Sequence, residues 1–161
     1  MNLPRWLMIA AKYLGVRETP GPKNTPVIMD WAKAKGLNIG IDYLADATPW
    51  CGLFVAYCLA QAGFTPPALS IRARSWARFG VAGAPGLGAV LVFERNGGGH
   101  VGFYLGENDK AYRVRGGNQS DSVSDVWIAK DRCIAVRWPP GVAHLPAVRL
   151  TAGGKLSTNE A

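Results

Sequence analysis

The hydrophobic period of this chain changes once along its length, and that change limits the folds open to it. Up to about Phe79 the apolar residues recur at helical spacing. From Ala89 onward they fall in short runs separated by glycine and polar turns. Trp6, Ile9, Ala10, Tyr13 and Leu14 share one face of an amphipathic helix. Val27, Ile28, Trp31 and Ala32 line a second, predicted over Pro26 to Lys35 and ended by Gly36. A third is predicted from Cys51 to Gln61, entered through Pro49 and the short polar residues before it and stopped by Gly63. A short helix over Ile71 to Phe79 carries Ser75 and Trp76. Strands are predicted over Ala89–Glu94 and His100–Leu105, with Ala111–Arg115 as the antiparallel return and Cys133–Trp138 last. Helices first and an antiparallel sheet after them make an α+β domain.

At 161 residues and 48% hydrophobic composition, the chain buries one ordinary core without disulfide or metal support. The domain is expected over residues 1–140. Residues 141–161 lose periodicity and read as a Pro- and Gly-containing extension, expected to be flexible. Three scattered cysteines and two distant histidines make no zinc pattern, so neither metal nor cofactor is expected. Gly97-Gly98-Gly99 lacks the Lys-Ser/Thr and the helix that a phosphate-binding loop needs. No run of 18 apolar residues exists, so no membrane insertion is expected. Lys12 interrupts the first apolar stretch early, and that stretch reads as part of the fold rather than a leader. A net charge of +7 suits an anionic partner. No nucleic-acid-binding motif accompanies the scattered arginines, so no nucleic-acid partner is expected, and the charge suits an anionic polymer or serves solubility alone.

The chemistry centres on Cys51. A cysteine in the first turn of a helix sits among unpaired backbone N–H groups at the positive end of the helix dipole, which favours a thiolate. Cys58 lies mid-helix among Phe54, Val55, Tyr57 and Leu59 and reads as core. Seven residues of helix, about 10 Å, also put it beyond disulfide reach of Cys51. Cys133 reads as an inert strand residue. Of the two histidines, His144 lies in a proline-rich stretch, whereas His100 follows three glycines at the mouth of a hairpin. If the next turn centres near Asn108 and Asp109, antiparallel pairing sets His100 opposite Gly117 or Asn118. An Asn118 amide oxygen there would fix the imidazole tautomer and turn the other ring nitrogen toward Cys51. The glycines beside Asn118 equally suit a turn residue in the left-handed conformation. Gln119 and Asp121 lie within the same reach as orienters. Nucleophile, base and orienter together make a thiol hydrolase.

These residues resemble the papain-like bacterial and phage cell-wall hydrolases of the CHAP and NlpC type. The resemblance rests on Ala10 to Glu18 with Pro20-Gly21, Thr48 to Val55, Ala73 to Trp76 with Gly80, Gly99 to Tyr104, Gly116 to Ser120, and Val136 to Pro139. Together these span about residues 5–140, in order. The resemblance implies a papain-like fold, with N-terminal helices before a central antiparallel sheet and the nucleophile at a helix N-terminus. It implies Cys51 as nucleophile, His100 as general base and acid, and Asn118 as orienter. Trp50, Gln119, Ser75 and Trp76 would touch substrate. The activity it implies is a cofactor-free peptidoglycan hydrolase, an N-acetylmuramoyl-L-alanine amidase or an endopeptidase. The expected setting is a monomeric phage endolysin, made in the host cytoplasm without a signal peptide and acting in the periplasm or wall to lyse the host. A secreted antibacterial effector of the same chemistry, a non-catalytic wall-binding module of the same fold, and an acyl transferase with the same triad are the alternatives.

Overall fold

The computed structural model describes residues 3–151 and 153–160. Three short helices come first: α1 (Arg5–Ala11), α2 (Pro26–Trp31) and α3 (Cys51–Gln61). A 3-10 helix at Ala73–Arg78 leads into six strands: β1 (Val81–Ala82), β2 (Val90–Arg95), β3 (Gly98–Glu107), β4 (Ala111–Gln119), β5 (Ser122–Ala129) and β6 (Cys133–Trp138). All neighbouring strands pair antiparallel, in the order β1-β6-β2-β3-β4-β5. The chain is therefore α+β, as its single change of hydrophobic period predicts.

α3 begins and ends where the sequence places it. Trp50 is its N-cap, with Phe54 N–H donating to the Trp50 carbonyl, and Gly63 takes a positive φ of 94° just past its end. Eight of its residues are buried, because it lies between the other helices and the sheet. α1 and α2 are shorter than their apolar patterns suggest. α1 stops at Ala11, which leaves Leu14 43% exposed, and α2 stops at Trp31. Pro26 opens α2 at a position where its missing N–H costs nothing. No helix among the described residues is long and apolar enough to cross a membrane.

The sheet separates two apolar layers. Val90, Val92, Val101 and Phe103 pack toward α3 with Leu53, Phe54, Val55, Trp31 and Trp76. Ala89, Leu91, Phe93, Tyr104, Val114, Ile128 and Trp138 form the second layer on the far face. That face is covered by the chain after β6, through Val142, Leu145 and Val148. The described residues from 141 onward, in the stretch expected to be flexible, lie along the sheet. Arg149 bridges Glu107, Leu156 bridges Trp127, and Glu160 bridges Gln119. Backbone bonds add to the apolar contact, between Glu107 and both Val148 and Leu150 and between Ser157 N–H and the Trp127 carbonyl.

Candidate functional site

Cys51 opens α3 and is 2% exposed. Burial pushes its thiol above the usual range. The N–H groups of Val101, Gly52 and Cys51 itself, and the charge of Arg95, pull the other way without offsetting the loss of water. The helix terminus alone therefore does not make Cys51 a thiolate in this conformation, contrary to the expectation from its position. Cys58 is fully buried in the same helix, and burial raises it further. Cys133 is half-buried, and its thiol donates to the Ala135 carbonyl.

His100 lies on β3, one residue before the Val101 N–H that faces the thiol. Its Nε2 is 2.9 Å from Gln119 Oε1. The Gln119 amide N–H2 donates to the carbonyls of Val114 and Ser124, at 3.3 and 2.7 Å, so its oxygen is the atom turned to the imidazole. A carbonyl oxygen only accepts, so Nε2 carries the proton and Nδ1 keeps its lone pair. Among the described residues Nδ1 is buried and has no hydrogen-bond partner. Burial, first, lowers the imidazole to about 4; Arg132 and Arg95 add to this, while the Gln119 bond and the Glu160 carboxylate oppose it.

Gln119, not Asn118, is thus the group that holds the ring. The turn centre near Asn108 is as expected: Asn108 Oδ1 accepts from the N–H groups of Lys110 and Ala111. The register between β3 and β4, Phe103 opposite Arg115, extrapolates to His100 opposite Asn118. A bulge between Gly116 and Gln119, with Asn118 in the left-handed region at φ 59°, then breaks the alternation and brings the next side chain round to His100. Asp121 lies one turn farther on, at φ 59°, with its carbonyl accepting from Glu18 N–H. The two glycines before the bulge are set by close approach. A Cβ on Gly116 would lie 2.5 Å from Gln119 Oε1, and one on Gly117 would lie 2.8 Å from the Trp50 ring.

The second departure concerns the dyad. Val101 and Phe103 belong to the layer under α3, and Tyr104 to the far layer. His100 pairs with Phe93, a far-layer residue, and stacks on it with ring centroids 6.3 Å apart. Strand alternation therefore sends the imidazole to the face away from α3. Cys51 and His100 meet β3 from opposite sides, and Nδ1 does not bond the thiol.

The side chains expected at substrate are placed differently too. Trp50 and Trp76 are wholly buried, with their indole N–H groups donating to Glu18 Oε1 and the Ser70 carbonyl, both at 3.0 Å. They support the entrance to α3 and the core; neither presents a face to a ligand. Ser75 is half-buried on the 3-10 helix, and its backbone N–H donates to Arg72. Around His100 stand three charged groups that sequence reasoning did not single out: Arg95, Arg132 and Glu160. Arg132 donates to the Glu94 carbonyl and to the Glu160 carboxylate. No local motif marks these residues, because β2, the turn before β6 and the end of the chain meet only in the folded sheet.

Comparison with protein-family models and with curated proteins finds no match to this chain.

Proposed function

We propose that the protein is a cofactor-free cysteine hydrolase of peptidoglycan, cutting an amide or peptide bond of the stem region. One observation supports this reading: on adjacent residues of β3 the Val101 N–H faces the Cys51 thiol and His100 is held by Gln119 with Nδ1 left as a lone-pair base, the two side chains lying on opposite faces of the strand. In the reaction, Sγ attacks the carbonyl carbon and its proton passes to Nδ1. The helix-terminal N–H groups stabilise the oxyanion. Nδ1 then protonates the departing amine, leaving a thioester, and water activated at the same nitrogen releases the acid. The cycle needs the imidazole within hydrogen-bond reach of Sγ, which the described conformation does not provide. In this reading the start of β3, at Gly98 and Gly99, rearranges before turnover. The setting that fits a basic chain of this kind is wall breakdown by a phage endolysin, with a secreted effector as the nearest variant.

A second reading is favoured by the burial of thiol and imidazole on opposite sides of β3. It takes the protein as a non-catalytic wall-binding module. Mass spectrometry of purified peptidoglycan separates the two. We expect fragments from the unmodified protein and none from C51A or H100A, with Q119A retaining more activity than H100A because it only positions the base. The fragment masses name the bond. Retained wall sedimentation without any fragments from the well-folded unmodified protein would establish the binding module.

A further inference from the structure

Residues 153–160 are held to β5 and to the end of β4 in a way that a core segment is not. Leu156 is their only large apolar side chain, and it is 46% exposed. Every other described residue of the stretch is exposed or half-buried except Glu160, which is 1% exposed. What holds the segment is main chain and one acid. Ser157 N–H donates to the Trp127 carbonyl at 2.8 Å, and Ser120 N–H donates to the Asn159 carbonyl at 2.6 Å. Glu160 pairs antiparallel with Gln119, and its carboxylate is taken by Arg132 and by the Ser157 hydroxyl. Backbone pairing at a strand end plus one anchored side chain is how an extended peptide ligand binds a sheet. The segment also fills its groove incompletely. A cavity of about 660 Å³ remains between it and β2, lined by Arg95, Asn96, Arg132 and Leu156 among others. Arg132 is already fixed by the Glu94 carbonyl, so its guanidinium is oriented whether or not Glu160 is present.

We propose that this groove is a binding site for an extended peptide bearing a carboxylate, with Arg132 as the carboxylate anchor and Arg95 as a supporting charge, and that residues 156–160 occupy it as an intramolecular competitor. The site lies beside the His100–Gln119 pair, since Gln119 is itself the residue that Glu160 pairs with. In so far as it names the substrate class, the proposal rests on the hydrolase reading above: the strand taken up would be an acidic stem peptide. Displacing the segment frees both the anchor and the Ser120 N–H for that ligand.

The test uses the full chain carrying E160Q and S157A, which removes both carboxylate contacts of the segment. The probe is a fluorescein-labelled peptide with the sequence of residues 154–160 and an amidated end, followed by anisotropy. The double variant is expected to bind it about tenfold or more tightly than the unmodified chain, whose groove is self-occupied. Gln in place of the peptide's Glu, or R132A added to the variant, is expected to remove the binding. R132K keeps the charge but loses the fork, so it is expected to weaken binding less, and it carries the test if R132A does not fold. Equal binding by the unmodified and double-variant chains, or indifference to the peptide's carboxylate, would overturn the proposal. So would unchanged hydrogen-exchange protection of the Ser120 amide in the double variant, because the acid would then not hold the segment. The readout is binding and is repeated in C51A. Absence of hydrolysis would leave this site standing, and absence of binding would leave the hydrolase reading intact with its substrate class open.

Discussion

An imidazole buried as a neutral base makes stability depend on pH in a defined direction. His100 titrates at about 4 in the folded chain against 6.5 ordinarily, because burial penalises its charged form. Between those values the unfolded chain holds a proton that the native state does not, so stability rises with pH across the window. The contribution is fully present above 6.5 and is lost as the pH falls toward 4, by about 3 kcal/mol. Glu160, Arg132 and Arg95 face the ring and are present in any variant at this position. Urea unfolding of the unmodified chain and of H100N, between about pH 7 and pH 4.5, isolates the difference. H100N is expected to lose markedly less stability on acidification. Identical pH slopes would mean that the imidazole is in contact with water in the native state. The same neutrality bears on function. With the thiol raised and the imidazole lowered, the resting pair holds no thiolate, so alkylation of Cys51 by iodoacetamide should be slow until the start of β3 opens.

At the scale of elements, the β4–β5 hairpin shows where local chemistry and fold disagree. Gln119 pairs with Ser122 across a two-residue turn, and Ser120 and Asp121 both sit at positive φ, 53° and 59°. This conformation suits the right-handed twist of the strands and is normally filled by Asn-Gly. Asp121→Gly removes the Cβ penalty of the left-handed region, along with a carboxylate that raises Glu18. A gain of about 0.5–1 kcal/mol is expected, seen as a melting temperature higher by roughly 1–4 °C. No change or a loss would show that the Asp121 side chain repays its strain. The turn also explains what the sequence hides. α3 and β6 are legible to the residue, because apolar period, Gly63 and the flanking prolines all agree. β5 is not, because Ser120-Asp121 carries no hairpin signature and Ser122–Ala129 mixes two serines and one aspartate with apolar residues on a half-covered edge. The site splits the same way. Cys51 and His100 stand out by residue type and setting. The exchange of Asn118 for Gln119, and the face on which His100 emerges, depend on a bulge and on the sheet pairing around it, which no short window contains.

At the scale of the whole molecule, charge and fold act on different steps. The excess of 18 basic over 11 acidic residues is a property of the surface, whereas the thiol and imidazole are withdrawn from it. Pairs such as Arg115 with Asp125 at 2.8 Å and Lys130 with Glu107 at 2.5 Å remove one charge of each sign, so the excess of cations sets the long-range field. Association with an anionic wall is therefore expected to be electrostatic and separable from turnover. C51A and the unmodified protein should co-sediment equally with purified walls at about 0.1 M salt. Both should be released as salt approaches about 1 M, where the screening length falls from roughly 10 Å to 3 Å. Binding that survives high salt would place recognition in contacts shorter than that length, at a groove such as the one Arg132 anchors. Release of C51A but not of the unmodified chain would tie retention to the thiol itself, and so to a covalent intermediate held on the wall.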